Sequence, residues 1–302
     1  MTIDLLDNPL SKNGREFNIG FIGAGRAARS LATCLESKGY KVSHISSSNV
    51  DSSMSIAKQI HGCTACTKPQ QIADKCDLIF ITTPDDQISS VAKTVRWHKG
   101  TGVVHCSGVE SSDLLSPAAE RGAFTGSFHP MQTFHKTSGK ADNTYFDNVA
   151  FSIEGDGPLM SILKDMATQL GGWPVEIMPK DKAIYHISGF LACGAVTSLL
   201  NEATQLWEII GYTKEQGLRA LLPILKTTVT NMESVGTAST LTGPIARGDT
   251  GTIQKHLDTM YERAPSILPI YKQVSVSAAN LSAENSSITK RKKAEILKIL
   301  AN

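Results

Sequence analysis

His129 stands in the run Gly126-Ser127-Phe128-His129-Pro130-Met131-Gln132-Thr133-Phe134. An imidazole titrates near neutral pH, so a histidine at a strand end can hold or pass a proton while a hydride moves. Loss of a proton from an alcohol or amine, or its gain by a carbonyl or imine, is the coupled half of such a reaction. Lys182 and His186 form a second set, four residues apart and so on one helical face. Gly189 and Cys193 continue that face and leave room for a cofactor or a neighbouring backbone; Asn201 and Glu202 lie further along. The third set is the turn-rich segment 241–249, where the Arg247 guanidinium suits bidentate binding of a carboxylate. Each set also has a plain structural reading. His129 then packs or hydrogen-bonds, residues 182–193 form a helix with a polar end and a small-residue seam, and Arg247 braces its turn through Asp249.

Such groups need a scaffold, and residues 17–28 supply its first piece. F-N-I-G-F-I is a short apolar strand that runs into Gly23-Ala24-Gly25-Arg26-Ala27-Ala28 and then a helix. Gly23 permits the tight turn, Gly25 lets a pyrophosphate approach the backbone, and Ala28 lets helix and strand pack closely. The helix N-terminus offers free N–H groups and a positive dipole end to phosphates. A dinucleotide is expected here. Two further loops lie at strand ends, where ligands of parallel sheets bind. Thr82-Thr83-Pro84-Asp85 is placed to run along a ribose, and Cys106-Ser107-Gly108 to lie near a nicotinamide. Asp85 and Asp86 are adjacent and do not form a pre-set acid pair; a helix N-cap is the expected role for one of them.

The second strand decides which dinucleotide. An NAD site commonly has an acid there for the ribose 2′-OH, yet no Asp or Glu occurs between Ser37 and Val50. Ser46, Ser47 and Ser48 can donate to a 2′-phosphate, and Arg26 adds a positive charge. NADP(H) is therefore expected. The alternative is a polar serine turn with Arg26 packed on the adenine.

From residue 17 to about 179, strands and helices alternate. Strands are expected at 17–22, 41–46, 63–66, 77–82, 102–106, 123–128, 149–153 and 174–177, with Pro130 stopping the sixth. Helices are expected at 26–37, 52–60, 69–73, 87–97, 111–120 and 158–170. This pattern means a doubly wound, mainly parallel α/β sheet covered on both faces. Beyond 179 only helical patterns follow: one long helix over 180–210, then 214–235, 251–263, 266–279 and a basic C-terminal helix. The expected organisation is an arm over 1–15, a Rossmann domain over 16–179 and a helical substrate and dimerisation domain over 180–302. The chemistry is expected in the cleft between the two domains.

Composition bounds the partners. Thirty basic against 28 acidic residues leave a formal charge of +2 in 302 residues, which gives no reason to expect nucleic acid or an anionic membrane. The apolar stretch 189–200 is too short to span a bilayer, and the acidic N-terminus has no signal-peptide n-region. Six scattered cysteines fit a reducing cytoplasm. Cys63 and Cys66 form one C-x-x-C with no second ligand pair, so small buried strand residues are expected there and no metal site. The basic run 290–293 reads as a solvated helix face.

Together the motifs resemble a two-domain family with a Rossmann-like N-terminal part and a helical C-terminal part of unknown function. The matching runs are G-F-I-G-A-G-R-A-A, T-T-P-D-D-Q-I, H-C-S-G, S-F-H-P-M-Q-T-F, K-D-K-A-I-Y-H and L-T-G-P-I-A-R-G-D with a following H-L at His256 and Leu257. The architecture is also similar to pyrroline-5-carboxylate, ketopantoate and 6-phosphogluconate-type dehydrogenases. Prephenate dehydrogenases have a similar G-S-H-P turn whose histidine assists catalysis, a role that His129 inherits by resemblance, with Phe128 as an extra residue. One departure is Gly194, where the family commonly has Asn after the Y-H pair; it bears on substrate or activity. The resemblance implies nicotinamide-dependent redox chemistry on a small carbonyl, imine or alcohol, with a homodimer formed through the helical domain. The alternatives are an NADPH sensor without turnover and a deazaflavin-dependent NADP oxidoreductase.

Overall fold

The computed structural model describes residue 10, residues 16–134 and residues 144–301. Uninterrupted apolar runs build the inner strands. In chain order the first unit contains β1 (Ile19–Ile22), α1 (Arg26–Ser37), β2 (Val42–Ser46), α2 (Val50–Ala57), β3 (Thr64–Cys66) and α3 (Pro69–Ala73). It continues with β4 (Leu78–Ile81), α4 (Asp85–Thr94), β5 (Gly102–His105) and a 3₁₀ turn (Ser112–Leu115) leading into the short α5 (Ser116–Ala119). β6 (Phe124–Pro130), β7 (Ala150–Gly155), α6 (Leu159–Gln169) and β8 (Trp173–Glu176) complete it. Every residue of β1, β4 and β5 is buried, as befits strands covered on both faces.

The eight strands form one sheet in the order β3-β2-β1-β4-β5-β6-β7-β8. Every neighbouring pair is parallel except β6–β7. The order reverses beside β1, which has β2 on one flank and β4 on the other, so the crevice for a ligand opens above β1 and β4. One face carries a row of aromatic contacts: Phe21 on Phe80 at 5.2 Å, Phe80 on Phe128 at 5.9 Å and Phe128 on Phe151 at 4.7 Å between ring centroids. The row ties the parallel and antiparallel parts of the sheet into one core.

The sixth strand departs from expectation. It does not stop before Pro130 but runs through it, paired with β7 as His129↔Ser152 and Pro130↔Phe151. The Met131 N–H donates to the Ala150 carbonyl at 2.8 Å, so the Pro130 nitrogen faces the other edge. β5 has already ended there, at the His105↔Ser127 pair. A proline costs no ladder bond at such a position. The expected helix over 111–120 is divided into the 3₁₀ turn and α5. Of the expected arm, only Leu10 is among the described residues before 16, and it is buried in the sheet core.

After β8 a 3₁₀ turn (Pro179–Asp181) leads into α7 (Lys182–Phe190), a π-helical segment (Leu191–Ala195) and α8 (Val196–Ile209). The chain divides into two compact units after Ala192, inside the π segment, and later than the composition change at 179. The first turns of α7 belong with the sheet because Lys182 and Tyr185 are bonded to strand residues, as described below. The continuous helix Pro179–Ile209 has 31 residues and is long and apolar enough to cross a membrane. That property is one of length and composition only, and the helix includes the shorter apolar stretch 189–200.

The second unit adds α9 (Lys214–Thr240), α10 (Thr250–Arg263), α11 (Leu268–Glu284) and α12 (Lys290–Ala301). Thr213 caps α9 reciprocally with Gln216. Its helical φ/ψ is interrupted at Gly236, so it bends past the expected end at 235. Ile253, Leu257, Ala279, Ile288, Ile296 and Leu300 form a core among α10, α11 and α12.

Candidate functional site

The glycine turn after β1 closes over the ends of two neighbouring strands. The Gly23 N–H donates to the Ser46 carbonyl at 2.8 Å, and Gly23 has φ +114°. A Cβ there would lie 2.6 Å from the Thr82 carbonyl carbon. Thr82 Oγ1 donates to the Gly23 and Ile22 carbonyls at 3.1 and 3.3 Å, locking the β4 loop onto the β1 loop. Gly25 differs: nothing lies within 4 Å of a Cβ built on it. It starts α1, with no side chain capping the helix and no acid in the first turn. The Ala28 side chain is buried in the core.

A cavity of about 510 Å³ opens above this turn. Gly23, Ala24, Gly25, Ser46, Ser47, Ser48, Thr82, Thr83 and Pro84 all line it. Arg26 is exposed at the first position of α1, and Ala27 is half-buried behind it; neither lines the cavity wall. Ser52, Thr67, Pro69, Gln87 and Val91 line the cavity but were not singled out in the sequence. The first four stand at or near the starts of helices that follow strands, and that position was the available signal; Val91 lies one turn beyond Gln87 on α4. Ser46 Oγ and Thr83 Oγ1 are both buried without a hydrogen-bond partner. Orphaned hydroxyls on a cavity wall fit a polar ligand such as a nucleotide phosphate or ribose.

The loop after β5 is tied down from within. Ser107 Oγ donates to Asp85 Oδ2 at 2.8 Å and accepts the Val109 and Glu110 N–H groups at 3.3 and 3.1 Å. Its hydroxyl therefore shapes the loop. Asp85 sits in the first turn of α4, and its carboxylate takes the Ser107 hydroxyl rather than capping the helix. Gly108 is buried next to two histidines: a Cβ on it would lie 2.7 Å from His129 Nε2 and 2.8 Å from His186 Cδ2.

His129 and His186 thus meet at Gly108, with ring centroids 6.0 Å apart. Tyr185, not singled out from the sequence, is the third member. Its hydroxyl lies 3.1 Å from His129 Nδ1, and the rings meet edge to face at 5.6 Å. Its direct adjacency to His186 in the chain was the only signal for it. Burial, and then the charges of His186, Lys182 and His105, push His129 down to about 4. Burial pushes the Tyr185 phenol up to about 12. At neutral pH, then, a neutral imidazole faces a neutral phenol.

Lys182 is bonded to the strands. Its side chain is fully buried, with Nζ 2.5 Å from Glu154 Oε1 and 2.8 Å from Ser127 Oγ. The candidate catalytic lysine is thus a fully buried side chain already bonded to two strand residues. The ammonium neutralises a carboxylate that β7 brings inside, and α7 is anchored to the sheet by that pair. Glu154 also accepts from the Ser127 hydroxyl at 2.9 Å, the Ser112 N–H at 3.2 Å and the Ser112 hydroxyl at 3.0 Å. Burial alone would raise the Glu154 carboxyl. Together the Lys182 bond and charge and the Ser127 and Ser112 bonds outweigh burial and hold the carboxyl below its usual range. An acid in the buried run A-F-S-I-E-G was the overlooked sign that a cation had to be enclosed nearby.

Arg247 belongs to the second unit. It is exposed in the segment between α9 and α10. Its supposed partner Asp249 instead caps α10, accepting the Thr252 N–H at 3.0 Å and hydroxyl at 2.7 Å. The Arg247 backbone N–H donates to the Gly243 carbonyl at 3.2 Å, and its charge adds to the Thr252 bonds in holding Asp249 below its usual range. Among the described residues no hydrogen bond or ion pair holds its guanidinium. The same unit contains an apolar cavity of about 620 Å³ lined by α8, α10 and α11 residues, with the His256–Tyr271 hydrogen bond of 2.9 Å on its wall. Among the described residues no cluster of three or more His, Cys, Asp or Glu side chains is arranged to hold a metal ion. Cys63 and Cys66 are free thiols; burial raises both, Cys63 to about 11.

Two families account for most of the chain. Residues 8–130 match the Rossmann-like domain, and residues 149–278 match the family described as Domain of unknown function (DUF2520). No curated protein sequence matches the chain. A candidate NADP oxidoreductase from Bacteroides fragilis is similar in structure, with a TM-score of 0.70 and 21% identity over 89% of this chain and 100% of that one. Pyrroline carboxylate reductase from Plasmodium falciparum, solved with NADP bound, has a TM-score of 0.58 and 14% identity over 90% and 98% of the two chains. Prephenate dehydrogenase from Aquifex aeolicus has a TM-score of 0.51 and 14% identity over 72% and 91%.

Proposed function

We propose, for a chain built as a Rossmann-like domain followed by a DUF2520 domain, an NADP(H)-dependent oxidoreductase acting on a small carbonyl, imine or alcohol. The observation that carries this reading is the pair of partnerless buried hydroxyls, Ser46 Oγ and Thr83 Oγ1, on the cavity above the glycine turn. The cofactor, when bound, supplies or takes up the hydride. Gly23, Ala24 and Gly25 with the open start of α1 would hold its pyrophosphate. Ser46, Ser47 and Ser48, with Arg26 at the rim, would receive the 2′-phosphate, since no acid of β2 repels it. Thr82, Thr83 and Pro84 would border the ribose, and Ser107 and Gly108 the nicotinamide. His129 and His186, meeting at Gly108, are the groups that would contact substrate, and Arg247 is the candidate for a substrate carboxylate. Lys182 serves this chemistry indirectly, as the anchor of the helix that bears His186.

Calorimetric titration with both reduced dinucleotides tests the cofactor. NADPH is expected to bind at least about tenfold tighter than NADH, the worth of one charge-assisted contact. Equal or reversed affinities would sink the 2′-phosphate assignment. Turnover against a panel of small carbonyl compounds and imines then tests the chemistry. His129→Ala is expected to lose about 10²–10⁴ in kcat. Retention of full kcat would remove His129 from the reaction.

The helical domain is the proposed dimerisation element. Leu218, Leu222, Ile224, Val229 and Met232 of α9 all present exposed apolar side chains, and such a surface calls for a cover. A second copy of the chain is the proposed cover. Light scattering is expected to give twice the chain mass, and a monomer would refute the proposal.

A further inference from the structure

We infer that Tyr185 is a positioning residue that fixes His129 as its Nε2–H tautomer, so that the site presents a hydrogen-bond donor above Gly108 and takes a carbonyl oxygen as its partner. The inference rests on the reading of His129 as the group that meets substrate.

The argument is one of proton accounting. The Tyr185 hydroxyl has one hydrogen and two acceptors in reach, His129 Nδ1 at 3.1 Å and the His129 carbonyl at 3.4 Å. The imidazole nitrogen is nearer and is the stronger base of the two. The carbonyl belongs to a residue already paired with Ser152 in the β6–β7 ladder. The phenol proton therefore goes to Nδ1. A neutral imidazole carries one hydrogen, and with Nδ1 acting as acceptor that hydrogen sits on Nε2.

The rest of the environment holds this arrangement in place. The rings are nearly perpendicular at 86°, and the phenol oxygen lies at hydrogen-bond distance from the ring nitrogen Nδ1, 3.1 Å. Nε2 is the atom directed at Gly108, and a Cβ on that glycine would lie 2.7 Å from it. Only glycine leaves this nitrogen free to reach a ligand. Burial first, and then the charges of His186, Lys182 and His105, oppose protonation of the imidazole, so it stays a neutral donor.

This selects among substrates. An N–H donor complements the lone pairs of a carbonyl oxygen, and its bond strengthens as negative charge grows on that oxygen. A protonated imine has no lone pair to accept it. The one hydrogen of the Tyr185 hydroxyl goes to Nδ1, while the Ser152 backbone bonds to the same hydroxyl, so Tyr185 acts on substrate through His129.

Nitrogen-15 correlation spectra of histidine-labelled protein read the tautomer directly and need no substrate. Signals are assigned with His129→Gln. In the wild type at pH 7.5, His129 is expected as the Nε2–H form alone. In Tyr185→Phe, which removes one oxygen, a mixed population with substantial Nδ1–H is expected. An Nδ1–H wild type overturns the inference whatever the variant does, and so does an unchanged tautomer in folded Tyr185→Phe. Once a substrate is known, Tyr185→Phe is expected to lose at least tenfold in kcat while NADPH affinity stays within twofold. If the tautomer behaves as expected but His129→Ala keeps full turnover, the functional reading fails and the tautomer assignment stands.

Discussion

Replacing Lys182 with Met is expected to destabilise the protein by about 3–5 kcal/mol, the range for removing one partner of a buried ion pair. Urea unfolding at pH 7 measures it. The reason is the Glu154 carboxylate, which β7 holds inside and whose charge Lys182 Nζ neutralises at 2.5 Å. The double variant Lys182→Met with Glu154→Gln is expected to recover most of the loss, because no uncompensated charge stays behind. A single variant within about 1 kcal/mol of wild type would mean that the pair does not anchor α7. The pH dependence has a definite sign. The Glu154 carboxyl is held below its usual range, so the wild-type contribution is full above the unfolded value and is lost as pH falls through the folded one. In Lys182→Met the lowering contact is gone and burial dominates. The variant carboxyl then protonates more readily, and the gap between variant and wild type narrows in acid.

The same pair shows what the sequence could and could not disclose. β1, β4 and β5 are legible as short apolar runs closed by turns because their burial on both faces is a local property of composition. The glycine turn is legible because its spacing follows from how tightly a strand must turn into a helix. Lys182 is not legible in this way. The four-residue spacing to His186 describes a helical face but does not say which side packs on the sheet. That is decided by Glu154, a residue 28 positions earlier in the chain on an antiparallel strand. The extension of β6 through Pro130 has the same origin: only the early end of β5 and the pairing with β7 make the proline harmless. Tyr185 was hidden for a third reason. Its value lies in one oxygen placed against His129 Nδ1, and no spacing rule encodes that. His129 itself is legible because an imidazole beside a proline at an expected strand end is chemically conspicuous, and it stays so although the strand runs on through Pro130.

Gly25→Asp is expected to abolish NADPH binding, by at least about 100-fold, while leaving the fold as stable as the wild type. Nothing lies within 4 Å of a Cβ at Gly25, so a side chain meets no protein atom. Aspartate is also a favoured residue at a helix N-cap, where Gly25 stands, and its charge suits the positive end of α1. Stability should hold or rise slightly. The same carboxylate, however, would occupy the position proposed for the pyrophosphate and repel it. Gly23→Ala is the contrasting variant. At φ +114° and with a Cβ 2.6 Å from the Thr82 carbonyl carbon, even one methyl group strains the backbone. That costs on the order of 1–2 kcal/mol for the conformation alone, before the Thr82 contact is counted. Calorimetric binding and thermal melting of the two variants therefore separate two roles within one motif. Gly23→Ala should lower both melting temperature and affinity, and Gly25→Asp affinity alone. Full NADPH affinity in a folded Gly25→Asp protein would show that no phosphate lies on this turn, and the proposed cofactor site would have to be abandoned.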